Sequence, residues 1–210
     1  DTITPSESIL PGSAMPPESP DTTHFSVADS DGNLVSNTYT LNSGFGSGIV
    51  IDGTGVLMNN EMDDFVSAPG IPNQFGLIGG EANKIEPFKR PLSSMTPTIV
   101  FHDSKPIIAT GSPGGSRIIT AVLQFLLNTL DFKMEISDAT VVPRIHHQWK
   151  PDVLMLEKGF DIQHIESIKG FNQKVYISGP GTSLESLEIK NNLFYGFGDT
   201  RRPDSKAKGL

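Results

Sequence analysis

The stretch Thr22-Thr23-His24-Phe25-Ser26-Val27-Ala28-Asp29 sets a hydroxyl side chain at the head of an alternating run, and a second such run, Leu34-Val35-Ser36-Asn37-Thr38-Tyr39-Thr40-Leu41, follows closely. Alternation with period two marks a half-buried strand. Between the runs, Asp29-Ser30-Asp31-Gly32-Asn33 supplies turn residues. The pair predicts a β-hairpin with an exposed start. Were the bond between Asp21 and Thr22 cut, Thr22 would become an N-terminal threonine, whose α-amine can act as general base for its own hydroxyl. A single residue would then carry both roles.

Before the hairpin, residues 1–21 place Pro5, Pro11, Pro16, Pro17 and Pro20 among Ser, Asp and Glu. Too little apolar surface is available there to order the segment, which predicts a flexible tail or linker. After the hairpin comes a bend with Gly44, Gly46 and Gly48, then apolar residues 49–51 and an expected strand over 56–59. Asn59-Asn60-Glu61-Met62-Asp63-Asp64-Phe65 ends it in amides and acids. Residues 66–91 form a long irregular loop with Pro69, Pro72, Pro87 and Pro91, and loops of this length are often lids or binding loops.

Two strands are expected over 98–101 and 106–110, the second running into Gly111-Ser112-Pro113-Gly114-Gly115-Ser116-Arg117. Behind that turn Ile118, Ile119, Val122, Leu123, Leu126, Leu127 and Leu130 recur at helical spacing, predicting a buried helix over 116–130. A strand, a Gly-Gly turn and a helix start give close backbone approach followed by amides with no helical acceptor, a place to hold an oxyanion or carboxylate. Further on, a short helix is expected over 136–141, an exit strand or loop over 144–149 and a solvent-facing segment over 150–158. A helix over 162–169, a strand over 174–177, a hairpin of 186–189 with 193–197 and a polar tail from Asp199 complete the reading.

The chain has 210 residues and a formal net charge of -8, and its 16 basic residues form no dense stripe, which argues against nucleic-acid binding. There is no cysteine, so disulfides, thiolate metal sites and thiol catalysis are excluded together. His146-His147 lacks zinc-ligand spacing and reads as surface or satisfied-core histidine; no metal is expected. His24 beside the threonines builds no triad, because strand neighbours point to opposite faces. The glycine turn ends without the Gly-Lys-Ser/Thr of a phosphate loop. The most apolar helical candidate, residues 118–130, is short and contains Thr120, Gln124, Asn128 and Thr129, so no membrane insertion is expected.

Five blocks carry a resemblance: residues 22–29, Thr38-Tyr39-Thr40-Leu41-Asn42, Leu57 through Phe65, Lys89-Arg90-Pro91-Leu92-Ser93-Ser94-Met95-Thr96-Pro97-Thr98, and Gly111 through Ile119. In this order they resemble the small subunit of the gamma-glutamyltranspeptidases, members of the N-terminal-nucleophile hydrolase superfamily. The resemblance implies an α+β, four-layer αββα sandwich, completed by a large subunit cut from the same precursor at Asp21-Thr22. Residues 1–21 would then end the large-subunit portion, and 22–210 would be the small-subunit catalytic portion.

The resemblance also implies an activity, cleavage of γ-glutamyl amides such as glutathione through an ester on Thr22 with transfer to water or an amino-acid or dipeptide acceptor. It assigns Thr40 to orienting the nucleophile and the amides of Gly114 and Gly115 to the oxyanion hole. Asn42, Glu61 and Asp64 would receive the substrate α-ammonium, Ser93 and Ser94 its α-carboxylate, and Phe75 would sit at the gating position of a lid. No cofactor is implied, and the placement is periplasmic or extracellular. Two alternatives stand beside it: an acylase acting on glutaryl side chains of cephalosporin-type β-lactams, and an unprocessed, non-catalytic homologue.

Overall fold

A computed structural model describes residues 22–179 and 181–209. The expectations for the tail at 1–21 and for the Asp21 side of the cleavage bond lie outside the described residues.

The opening hairpin forms, with Thr22 at its start buried where an exposed start was expected: β1 (Thr23–Ala28) pairs antiparallel with β2 (Leu34–Tyr39), with Thr23 opposite Tyr39 and Ala28 opposite Leu34. Asp29 closes the turn, its Oδ1 accepting from the N–H groups of Asp31 and Asn33. The hairpin lies on a four-stranded sheet of order β3 (Thr98–His102), β4 (Lys105–Thr110), β8 (Glu185–Lys190) and β9 (Leu193–Gly198), all antiparallel. A third sheet contains β5 (Ile145–His146), β6 (Leu154–Glu157) and β7 (Val175–Ser178), where the parallel pair β6 and β7 is bridged by α3 (Ile162–Gly170). Parallel neighbours need such a crossover, and Asp161 starts it by capping the Gln163 N–H at 2.7 Å.

On the side of the large sheet away from the hairpin lie α1 (Arg117–Leu126), continued as a wider π-turn over Leu127–Asp131, and α2 (Ile136–Val141). Ile118, Val122 and Phe125 of α1 meet Ile108, Ile136, Ala139 and Leu184 in the main core. Each such side chain contributes about 1.5–3 kcal/mol by leaving water. Hairpin, sheet and helices thus make three successive layers, and the mixed α/β architecture agrees with the expected class.

The outermost face of the hairpin is unusual, because its exposed side is the apolar one: Phe25, Val27, Val35 and Tyr39 are each 41–57% exposed. The inward side carries His24, Ser26, Ser36 and Thr38 instead. On α1, Ile119 and Leu123 are likewise half exposed, so the apolar stripe read from the sequence is wider than the core it meets here. Among the described residues no helix is long and apolar enough to cross a membrane.

Two further sequence expectations are corrected. Residues 56–59 form no strand; Ile49 to Met58 is a loop held by backbone bonds such as Met58 N–H to Ile49 O, with an isolated bridge between Val50 and Leu57. The segment 150–158 is not solvent-facing throughout, since β6 buries Met155, Leu156 and Glu157. The segment from Asp199 is polar, as expected, and packed into the fold: Asp199 is fully buried, bonding Arg144 at 2.6 Å and Arg201 at 3.0 Å, while Arg201 also reaches Glu157 at 2.6 Å.

Candidate active site

Thr22 is buried, immediately before β1, and its carbonyl oxygen accepts from the Arg202 guanidinium at 3.2 Å. Extending the hairpin register by one pair beyond Thr23 and Tyr39 sets Thr22 opposite Thr40. The Thr40 hydroxyl oxygen accepts the Asn42 N–H at 2.9 Å, a local turn that carries Asn42 through a positive φ of 76°. Asn42 is buried and donates its amide to the Asn60 carbonyl.

A network of side-chain hydrogen bonds fixes the hairpin against the sheet beneath. Ser26 Oγ donates to Glu185 O and Ser36 Oγ to Thr110 O, each at 2.8 Å. With the Ser26 proton committed, His24 Nε2–H donates to Ser26 Oγ, which leaves Nδ1 to accept from Thr38 Oγ1 at 2.6 Å. Burial holds this ring neutral and lowers its pKa to about 4. The ring lies against Gly111, where a Cβ would sit 2.2 Å from His24 Cε1.

Strand β4 runs directly into the glycine turn, all of which is buried. Gly114 and Gly115 adopt φ of 134° and 54°, open to glycine at little cost. Among the described residues, neither N–H has a hydrogen-bond acceptor, although their carbonyls accept from Arg117 and Ile118 at the start of α1. Buried N–H groups without acceptors are rare, and two in succession suit an anionic oxygen. The Phe75 ring covers Gly115, where a Cβ would lie 3.0 Å from Cδ1.

Glu61 and Asp64 lie on a single 3-10 turn, Glu61–Asp64. Burial, then the Asp64 charge and a hydrogen bond to it, push the Glu61 carboxyl up to about 7. Asp64 is also raised, chiefly by burial, with the Asp63 charge adding to it and the Glu61 hydrogen bond opposing it. Such a pair holds a proton until a cation arrives. Ser94 and Asp64 line one cavity of about 130 Å³ beneath the long loop. Ser93 does not line it; its hydroxyl oxygen accepts the Met95 N–H at 3.2 Å.

The loop expected at residues 66–91 is irregular, with a 3-10 turn at Glu81–Asn83 and isolated bridges. It is tied to the rest of the site at Gln74, whose N–H donates to Asp63 Oδ2 at 2.9 Å and whose Oε1 accepts from Ser43 Oγ at 3.0 Å. Ser43 and Asn42 are both held by Asn60. One continuous set of contacts therefore links Gly115, Phe75, Gln74, Ser43, Asn42 and Asn60. Sequence reasoning singled out neither Arg202 nor Gln148, which touch Thr22 and the Phe75 backbone, since both contacts depend on distant pairings. Among the described residues no cluster of His, Asp and Glu has a metal-binding arrangement.

The chain matches the family model "Gamma-glutamyltranspeptidase" over residues 2–209. It is 50% identical over 206 residues to the glutathione hydrolase proenzyme of Escherichia coli strain K12, a match covering 98% of this chain and 36% of that protein. The chain thus spans about a third of the length of such curated relatives. Its structure superposes on a variant of Helicobacter pylori gamma-glutamyltranspeptidase with a TM-score of 0.83 at 48% identity, covering 86% of this chain and 100% of that one. For the Pseudomonas nitroreducens gamma-glutamyltranspeptidase complexed with L-DON the TM-score is 0.82 at 40% identity, covering 90% and 98%. A Bacillus halodurans cephalosporin acylase shares the fold alone, at 23% identity and a TM-score of 0.75 over 88% of this chain and 34% of that one. The chain belongs to the gamma-glutamyltranspeptidase family, within the N-terminal-nucleophile hydrolase superfamily.

Proposed function

We propose that this chain supplies the catalytic half of an enzyme that cleaves γ-glutamyl amides, glutathione among them, and passes the glutamyl group to water or to an amino-acid or dipeptide amine. The observation that carries the reading is the burial of Thr22 at the head of a hairpin bonded to the strand that feeds the glycine turn.

Cleavage between Asp21 and Thr22 frees the Thr22 α-amine. That amine takes the hydroxyl proton as Thr22 Oγ attacks the γ-carbonyl, and the Gly114 and Gly115 N–H groups receive the developing oxyanion. Collapse breaks the C–N bond, and the α-amine returns the proton to the leaving amine. Water or an acceptor amine then attacks the γ-glutamyl ester, loses its proton to the α-amine and restores Thr22. Thr40 orients the nucleophile. Glu61 and Asp64, with Asn42, receive the α-ammonium, while Ser93 and Ser94 receive the α-carboxylate. An acylase that takes glutaryl side chains has no ammonium for this carboxylate pair to hold, which favours the γ-glutamyl reading.

The partner of the reading is a large subunit from the same precursor, and the exposed apolar faces of the hairpin and of α1 support it: each needs a covering layer. Residues 1–21 would be the end of that large-subunit portion and 22–210 the small subunit. The periplasmic or extracellular placement implied by the resemblance belongs to the same proposal. Intact mass of the complete protein, together with amine release from a γ-glutamyl anilide, tests it. Thr22→Ala should abolish both cleavage and turnover; normal processing of that variant would remove Thr22 from its role.

A further inference from the structure

The amide of Gln148 uses its whole hydrogen-bonding capacity across three separate segments. Its Oε1 accepts from Ser116 Oγ at 2.5 Å and from His146 Nε2 at 2.9 Å, while its Nε2 donates to Phe75 O at 3.3 Å and Lys150 O at 3.1 Å. Two carbonyls on one side fix that side as the NH₂, so the oxygen must face the two donors. His146 then carries its proton on Nε2, and Nδ1 faces Thr120 Oγ1 at 2.8 Å, whose one proton it shares with the Arg117 carbonyl at 3.1 Å. Burial disfavours the charged ring, in keeping with this single tautomer. Ser116 and Thr120 stand one turn apart at the start of α1, directly after Gly114 and Gly115, so the relay is mounted on the helix that carries the glycine turn.

We propose that Gln148 is a positioning residue that latches the Phe75 loop onto the start of α1 and so limits the size of the γ-linked substrate the site admits. The inference rests on the reading of Phe75 as the cover of the glutamyl pocket. Phenylalanine has no polar atom with which to fasten itself, so closure depends on ring contact with Gly115 and on the backbone bond from Gln148. The ties at Gln74, to Ser43 and Asp63, and at Asn83, to the Asp64 carbonyl, hold the loop toward residues 43 and 63–64 but not toward α1.

The test uses the complete, processed protein with Gln148→Met, which keeps length and removes the amide. Gln148→Glu is the second variant, which keeps shape and acceptor but opposes the two carbonyls. Hydrogen exchange is followed at the amides of residues 74–77 and along α1, and kcat/KM is compared for glutathione and for a γ-linked glutamate oligomer. Loss of the latch should speed exchange at 74–77 about tenfold, as expected for one ordinary hydrogen bond, and leave α1 unchanged. The oligomer-to-glutathione ratio should rise by a similar factor, carried by KM rather than kcat. Unchanged exchange at 74–77, or an equal rise throughout α1, would overturn the latch. Phe75→Ala separates the two ideas: if it leaves the substrate ratio unchanged, the cover reading fails and size selection with it. If it shifts the ratio while both Gln148 variants do not, only the latch fails.

Discussion

Glu61 and Asp64 are two acids sharing a half-buried turn with no cation among the described residues to compensate them, and their chemistry follows from that shortage. Near neutral pH the pair retains part of a proton on Glu61, whose carboxyl titrates at about 7. An α-ammonium binds best to the fully ionised pair, so it must displace that proton. The affinity for a γ-glutamyl substrate should therefore fall as pH falls through 7, and the pH dependence of Kd for a non-reacting γ-glutamyl analogue reads this apart from the Thr22 α-amine, which also shapes kcat/KM. Asp64→Asn should raise KM roughly 10- to 100-fold, the loss of a charge-assisted hydrogen bond. A KM within twofold of the parent would exclude Asp64 from substrate binding. The resemblance marks the two acids as candidates, whereas the residues alone read only as a cluster of amides and carboxylates at 59–64. Their mutual coupling was not legible, since it depends on how deeply the turn is buried.

Among the elements, the turn from β4 into α1 tolerates little change. A Cβ on Gly114 would meet Gly181 O at 2.4 Å in a backbone region that L side chains rarely adopt. Gly114→Ala should thus cost about 1–3 kcal/mol of stability from strain, and, if the N–H is displaced from the oxyanion, about 10²–10³ in kcat. Thermal melting and single-turnover kinetics separate the two effects. The turn and α1 could be read from the sequence because strand, glycine pair and helical periodicity are local signals. Strand β6 could not: Leu154-Met155-Leu156 is short, flanked by Asp152 and Lys158, and gains its strand only by pairing with β5 and β7. The expected strand at 56–59 failed for the converse reason. Gly53 and Gly55 both take positive φ, and the apolar residues around them find no sheet to join among the described residues.

For the molecule as a whole, the last described segment acts as a clamp. Asp199 gathers Arg144, Arg201 and the Leu184 N–H, and Arg201 extends the network to Glu157 and the end of α2, so α2, β5, β6 and the start of β8 are joined through one buried carboxylate. Burial raises the Asp199 pKa, but the Arg144 charge and these hydrogen bonds outweigh it and leave the carboxyl below its usual range. A lowered carboxylate pKa contributes stability above the unfolded value and loses it as pH falls through the folded one. Asp199→Asn should cost about 3–5 kcal/mol, since it strands buried guanidinium charge. Its loss of stability against the parent should shrink under strongly acid conditions, as chemical denaturation at several pH values would reveal. Composition alone read this segment as a polar tail, because its partners between Thr140 and Glu157 stand 44 to 61 residues away in the chain.

The inward face of the hairpin, polar where an oily one is usual, has a mechanical meaning. The attraction between oily faces has no preferred direction, whereas hydrogen bonds weaken steeply once distance or angle is wrong. His24, Ser26, Ser36 and Thr38 therefore work as a keyed joint: they index the strand that carries Thr22 to the sheet below, trading grip for alignment.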